Sequence, residues 1–378
     1  MIIEISGTNT ANKGAELMLC AVLAQLGSCK DISAIVVDRS FGSPVARAQY
    51  RLGLQLEIQK WGRSRLALKL MPGSFRKMVN VVREREVDVL LDASGFAFGD
   101  QLPLERAEGF LSRVRRAKAQ RQKVILLPQA FGPFKSHAHA SCFKRIIPLC
   151  DLIYARDRQS LAALQLLAPE AAQIQMAPDF TIGVKPELHA AGAASSERIA
   201  IVPNDRMLEY APSPEAADAY VNTFAAACRV CLEQGLKPFI LVHSGPDQEV
   251  GRRVNAMVGA EIEILNLHDP VQIKRVLGEC RLVIASRFHA IVSALTQNVP
   301  VIATSWSHKY EELLGEYGCA HTILDAYKAD EEQVRNLLGG ITGEAYSSLV
   351  GNIDDRNTEV KAAVAAMWEA VFGCIQRD

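Results

Sequence analysis

The sequence predicts an α/β protein of two doubly wound domains. Three observations carry that prediction: the length, an alternation of short apolar runs with amphipathic stretches, and a break in the alternation near the middle. A chain of 378 residues exceeds the size at which one hydrophobic core keeps growing, so two domains are expected. With 49% hydrophobic and 22% charged residues it has the apolar material for two cores and no signature of extensive disorder.

In the first half, residues 2–5, 34–38, 87–92, 124–128 and 152–155 read as strands, and 15–26, 75–83, 104–119 and 138–149 as helices. Strands that are apolar along their whole length belong in a parallel sheet covered on both faces. The pattern lapses over 184–196, where Lys185-Pro186 is followed by the small residues of 190–196, a linker composition. It resumes with strands at 199–203, 239–242, 282–285 and 300–303 and helices at 216–234, 271–277 and 290–296. The expected domains are 1–190 and 197–355. A terminal helix over 356–378, with the apolar stripe Val360, Ala363, Val364, Met367, Val371 and Phe372, either packs locally or crosses back to the first domain. No fixed-period repeat is present.

Lys plus Arg and Asp plus Glu number 42 each, which leaves no global field to draw the chain to nucleic acid or an anionic membrane. Any anion must be recognised locally. The densest basic run, Arg113, Arg115, Arg116, Lys118 and Arg121, reads as a solvated helix face, or as a patch for lipid headgroups or an anionic acceptor. No apolar stretch approaches the ~20 residues of a membrane span. Residues 1–5 lack the basic start and long apolar run of a signal peptide. The nine cysteines are an odd, scattered set that suits a reducing compartment, so the expected location is cytoplasmic. Cys228 and Cys231 fall mid-helix with no second pair or histidine at ligand spacing, so they read as buried thiols, and no metal is expected.

The residues able to do chemistry fall at the carboxyl ends of predicted strands, where open α/β sheets form their binding crevice. The first strand runs into Ser6-Gly7-Thr8-Asn9-Thr10-Ala11-Asn12-Lys13-Gly14 and a helix start at Ala15 or Glu16. Asn12, Gly14 and Glu16 therefore stand where free N–H groups and a helix dipole can hold an anion or a sugar hydroxyl; a purely structural turn is the alternative. The loop is neither a Walker A loop nor G-x-G-x-x-G. The strand ending at Asp92 leads into Ala93-Ser94-Gly95-Phe96-Ala97-Phe98-Gly99-Asp100. There Asp92 or Asp100 can serve as a base toward a hydroxyl near Gly95, with capping of the following helix as the rival use of Asp100. Gln129, within Pro128-Gln129-Ala130-Phe131-Gly132-Pro133-Phe134, is expected as an uncharged hydrogen-bonding group on a rigid turn. Arg156-Asp157 with Ser160 reads first as an ion pair and helix start, and Asp179 is a further strand-end carboxylate.

The second half holds the denser constellation. Ser286-Arg287-Phe288-His289-Ala290 brings a guanidinium, an imidazole and helix N–H groups together, and Ser305-Trp306-Ser307-His308-Lys309 ends the next strand with further cations. Arginine suits a bidentate grip on carboxylate or phosphate, and histidine can donate a proton near neutral pH. Arg287, His289, His308 and Lys309 are thus expected to serve one anion, with Ser286 and Ser305 beside them. Arg206 and His243 hold equivalent strand-end positions and are expected as additional substrate contacts.

Taken in order, these motifs resemble the polysaccharide pyruvyl transferase family: Gly7…Asn12-Lys13-Gly14…Glu16, Gly95…Gly99-Asp100, Gln129…Phe131-Gly132-Pro133-Phe134, Arg156-Asp157…Ser160 and Pro178-Asp179. Most specific is Ser286-Arg287-Phe288-His289-Ala290 with Val299-Pro300-Val301-Ile302 and Lys309. Phe288 stands where the family's Arg-Leu-His has leucine, and Ser94-Gly95-Phe96 where a run of glycines is common. The resemblance implies two Rossmann-like domains of glycosyltransferase-B-like architecture, the first on the acceptor side and the second on the donor side. It implies a transferase that moves the pyruvyl group of phosphoenolpyruvate onto a sugar of a cell-surface polysaccharide or its precursor, usually as a ketal. Arg287, Lys309 and Arg206 would hold the donor, His289 would be the acid, and Asp92, Asp100 or Asp179 the base. No cofactor is implied beyond phosphoenolpyruvate as donor substrate. The partners implied are that small molecule and a glycan acceptor, free or lipid-linked, with peripheral membrane contact left open and no nucleic acid. The rivals are a nucleotide-sugar-dependent glycosyltransferase of the same architecture and a catalytically silent glycan-binding member.

Overall fold

A computed structural model describes residues 1–56, 72–186, 197–304, 308–343 and 345–376. Most of the linker expected over 184–196 lies outside the described residues. Buried backbone must pair its own polar groups, and strands apolar on both sides do so in a sheet sandwiched by helices. Among the described residues two all-parallel sheets form, one of nine strands and one of six.

The first sheet holds β1 (Ile2–Ser6), β2 (Ala34–Val37), β3 (Gly53–Leu56), β4 (Val81–Arg83), β5 (Val89–Asp92), β6 (Phe96–Phe98), β7 (Lys123–Phe131), β8 (Leu152–Ala155) and β9 (Ile174–Met176). Their order is β4-β3-β2-β1-β5-β7-β8-β9, with β6 pairing the end of β7. The order reverses between β1 and β5, so the carboxyl ends of those strands flank a switch point, where such sheets leave a crevice. The second sheet holds β10 (Arg198–Val202), β11 (Lys237–Val242), β12 (Ile264–Asn266), β13 (Leu282–Ala285), β14 (Val301–Thr304) and β15 (Ile323–Leu324). Its order, β12-β11-β10-β13-β14-β15, puts the switch point between β10 and β13.

The chain divides into two compact units: unit one is Met1–Thr10, Met18–Phe180 and Ala363–Asp378, and unit two is Ala11–Leu17 and Thr181–Ala362. The first turn of the helix Lys13–Leu26 therefore belongs to unit two, and the long helix Tyr346–Gln376 contributes to both. No helix among the described residues is long and apolar enough to cross a membrane.

In unit one Phe143 packs on Phe98 and Phe131, with ring centroids 5.0 and 5.4 Å away. β7 continues past Pro128 to Phe131, so Gln129 lies in a strand and not on the turn expected from sequence. Its pairing with β8 shifts register between Leu126 and Gln129, where Pro128 has no N–H to give the ladder. In unit two Cys228 and Cys231 sit inside the helix Pro214–Glu233, where burial pushes both thiols up to about 12.

In the basic run that begins on the helix Leu104–Ala119, Arg115 and Arg121 are exposed, while Arg113, Arg116 and Lys118 are held in ion pairs. Arg113 binds Glu4 at 2.5 Å and Gln122, Arg116 binds Glu84 at 2.9 Å, and Lys118 binds Asp151 at 2.7 Å. Residues three apart share a helix side, which turns Arg113 and Arg116 toward the same acid, Glu84. Glu4 is buried on β1, and burial holds its carboxyl above the ordinary range despite Arg113. Arg113→Ala is expected to cost about 3 kcal/mol in urea denaturation by leaving Glu4 without its cation. Arg115→Ala, at an exposed position of the same helix, is the control, and equal midpoints for the two variants would rule out a stabilising pair.

Candidate functional site

The carboxyl ends of β10, β11, β13 and β14 in unit two carry Asn204-Asp205, His243-Ser244, Ser286-Arg287 and Thr304. Buried polar atoms must find partners, and here they find one another. The Asn204 N–H donates to the Tyr220 hydroxyl at 2.7 Å, and the Asn204 amide donates to the Ser286 carbonyl at 3.1 Å. The Tyr310 hydroxyl reaches the same carbonyl at 2.8 Å. Ser286 Oγ bonds the Tyr220 hydroxyl at 2.8 Å and Thr304 Oγ1. Ser286 has no solvent exposure, so its side chain is a strut between β14 and the helix Pro214–Glu233 that carries Tyr220.

Arg287 is the N-cap residue of the helix Phe288–Leu295 and is committed to two carboxylates. Its Nε donates to Asp247 Oδ2 at 2.9 Å, and its Nη2 donates to Asp205 Oδ1 at 2.5 Å and to Asp247 Oδ1. Three of the five guanidinium N–H groups are thus used among the described residues, and neither of those on Nη1 is. The bidentate grip expected for a ligand is made on Asp247. Asp247 is unexposed; burial raises its carboxyl from the ordinary value, with Arg287 opposing that shift.

The segment Ala11–Leu17 joins this site. Asn12 forms an antiparallel bridge with Ser244, and its Oδ1 accepts from the Gly14 N–H at 2.9 Å. Lys13 pairs with the buried Glu16 at 2.5 Å. A Cβ on Gly14 would lie 2.3 Å from Nδ1 of His289, so only glycine lets the helix start meet that ring. The Phe288 ring stands edge-on to both His289 and Tyr310. His243 is 4% exposed, and its Nδ1 is buried without a hydrogen-bond partner. Burial, followed by the charges of Arg287, His289 and Lys13, holds it well below its usual 6.5, which keeps the ring neutral.

Unit two thus brings together Asn12, Gly14, Glu16, His243, Ser286, Arg287 and His289. Arg206 is half-exposed and pairs with Glu209. His308 and Lys309 open the helix His308–Glu316, and Ser305 lies outside the described residues. The remaining predicted residues belong to unit one. Asp92, at the switch point there, accepts from Ser6 Oγ at 2.8 Å, Gln129 Nε2 at 2.9 Å and Ser94 Oγ at 3.2 Å. Burial pushes its carboxyl up against those bonds. The Gly95 carbonyl accepts from the Ala130 N–H at 3.1 Å. Asp100 accepts from the N–H groups of Lys135 at 2.7 Å and Ser136 at 3.3 Å, ahead of the helix His137–Ile146 and not of the helix that follows it in sequence. Asp179 is ion-paired to Arg156 at 3.1 Å, while Asp157 caps the next helix through the Ser160 N–H.

Sequence reasoning did not single out Asp205, Asp247, Tyr220 or Lys13 as site residues. Asp247 stands in the first turn of the helix Asp247–Val258, where an acid reads as a dipole partner. Its position soon after β11, just past the loop that bears His243, was the available signal.

The Gly14–His289 contact is testable by a double-mutant cycle. Gly14→Ala is expected to cost about 1–3 kcal/mol by overpacking, and most of that cost disappears in a His289→Ala background. Equal costs in both backgrounds would remove the contact. His243 predicts a pH dependence. Its folded value lies below its unfolded one, so the unfolded chain takes the proton first; stability is complete above 6.5 and declines as pH falls below it. Melting temperatures of His243→Gln should fall less steeply than wild type from about pH 6.5 to about pH 5.

A sequence profile described as polysaccharide pyruvyl transferase matches residues 12–308. Among solved structures, a putative UDP-N-acetylglucosamine 2-epimerase from Listeria monocytogenes aligns at 13% identity and TM-score 0.63, over 100% of this chain and 97% of that one. The UDP-GlcNAc 2-epimerase from Neisseria meningitidis bound to UDP-GlcNAc aligns at 7% and 0.60, over 99% and 100%. HepE from Anabaena in complex with UDP and glucose aligns at 10% and 0.58, over 98% of each chain. At these identities the likeness shows the fold, which is the two-part, glycosyltransferase-B-type α/β architecture predicted from the sequence. The profile spans most of the chain and includes both the Asn12–Gly14 turn and the Arg287–His289 loop, so this chain belongs to the polysaccharide pyruvyl transferase family, a family of transferases.

Proposed function

We propose that the protein moves the pyruvyl group of phosphoenolpyruvate onto a sugar of a cell-surface polysaccharide or its precursor as a ketal. The observation that supports it best is the packing of His289 against Gly14 at the helix start that also bears Lys13, with Arg287 beside it presenting Nη1. An imidazole placed among N–H groups and cations suits an acid acting on an anionic enol ester. In this reading His289 gives its proton to the methylene carbon while a sugar hydroxyl adds to C2 and loses its proton to a carboxylate. A second hydroxyl then takes the place of phosphate at C2, its proton leaving with the departing phosphate, which closes the ketal and releases inorganic phosphate. Asp92, Asp100 and Asp179 are proposed as candidates for that carboxylate; Asp179 is held by Arg156, Asp100 by backbone N–H groups and Asp92 by Ser6, Ser94 and Gln129. Lys309 and Arg206 are proposed as further donor contacts and the glycan as acceptor, free or lipid-linked, in a cytoplasmic reaction.

The second reading is a nucleotide-sugar-dependent glycosyltransferase. It is favoured by the UDP and UDP-sugar named for the Anabaena and Neisseria proteins of this fold. Thermal shift separates the two, because a donor at about a hundred times its Kd adds about 2.7 kcal/mol to the folded state. Stabilisation by phosphoenolpyruvate and phosphate release with a glycan acceptor are expected; stabilisation by UDP-sugars alone would select the rival. His289→Ala should lower turnover by about 100-fold or more while retaining donor binding. Donor binding without turnover in the wild type, across acceptors, would select a silent glycan-binding member.

A further inference from the structure

Asp247 has no part in the chemistry proposed above, yet it is the unexposed centre of the unit-two site. Its Oδ2 accepts from Arg287 Nε at 2.9 Å, and its Oδ1 accepts from Arg287 Nη2 and from the Asp205 N–H at 2.9 Å. Its own N–H donates to the Ser244 carbonyl at 2.9 Å, and Ser244 bridges to Asn12. One carboxylate thereby ties together the loops after β10, β11 and β13, and through Ser244 it reaches the segment that packs on His289. We propose that Asp247 is the positioning residue of the donor site. It turns Arg287 so that the guanidinium meets a donor oxygen through Nη1 alone, and it holds that nitrogen in register with His289.

This rests on the reading that Arg287 meets the donor's charge. Each face of a guanidinium able to make a fork contains Nη2, and both Nη2 hydrogens are taken by Asp205 and Asp247. A donor therefore gains one nitrogen from Arg287, and the direction of that nitrogen is set by Asp247. A carboxylate present only to offset the arginine's charge makes the opposite prediction. Removing it would leave the cation more attractive to an anion.

The test is calorimetric titration of phosphoenolpyruvate into wild type, Asp247→Asn and Asp205→Asn, with KM and kcat from phosphate release and melting temperatures as the check on folding. The Asp247 amide keeps the side-chain shape but presents an N–H to a donor. Kd and KM are expected to rise about tenfold, the loss of one charge-assisted contact, with kcat changed less. Asp205→Asn removes one of the three bonds at a less buried residue and should raise Kd by about two- to threefold. It decides the question if Asp247→Asn does not fold. Unchanged or tighter binding in the folded variant overturns the positioning role and leaves the donor reading standing. A wild type that takes up no phosphoenolpyruvate overturns the donor reading itself, and the positioning role with it.

Discussion

A carboxylate shut away from water has to be answered by donors, and at Asp247 the answer organises a site. The parallel sheet of unit two delivers loops side by side at the carboxyl ends of β10, β11 and β13, but loops at a sheet edge have no fixed orientation of their own. Arg287 supplies the guanidinium and Asp205 the backbone N–H that Asp247 requires, and each belongs to a different loop. The stretch that starts at the end of β11 adds the Ser244 bridge to Asn12. What holds the loops together is thus a charge whose desolvation is tolerable only while all of them are in place.

The fold was legible because it rests on local patterns. Continuous apolar runs such as 89–91 and Leu282–Ala285 do not read as half-solvated strands, and their alternation with helices points to a parallel sheet. Residues 11–17 follow β1 without a break in pattern, and nothing local records the Asn12–Ser244 bridge that draws them to unit two. Gln129 was misjudged because Pro128 reads as punctuation, whereas the strand passes through it with a shift in register. His289 and Arg287 were visible as residue types at a strand end. That Arg287 would spend its fork on acids was not, since its partners Asp205 and Asp247 are 82 and 40 residues away in sequence.

Both switch points obey one economy of polar groups. In unit one, Asp92 gathers Ser6, Ser94 and Gln129, and Gly7 makes room where a Cβ would lie 2.0 Å from Ser94 Oγ. In unit two, Gly14 makes room for His289 while Asp247 gathers the arginine. Each pairs a buried carboxylate with a glycine whose missing side chain lets backbone approach a polar ring or hydroxyl. The glycines are therefore steric conditions of the sites and not marks of flexibility.

The compensated arginine also explains why fold likeness leaves the donor open. Lys13 is paired with Glu16, and Arg287 with Asp205 and Asp247, so these two cations enter the site already balanced by acids. In the reading proposed above, an anionic donor would also draw on the N–H groups that open the helix Phe288–Leu295, because that dipole attracts negative charge. Helix starts at a switch point belong to the architecture, and the phosphates of a nucleotide sugar suit them as well as phosphoenolpyruvate does. What separates the chemistries is the side chain set among those N–H groups. In the proposed reaction His289, fitted to Gly14, would be the proton source for which an enol ester has a use, whereas departure of a nucleoside diphosphate calls for charge stabilisation at phosphate oxygens.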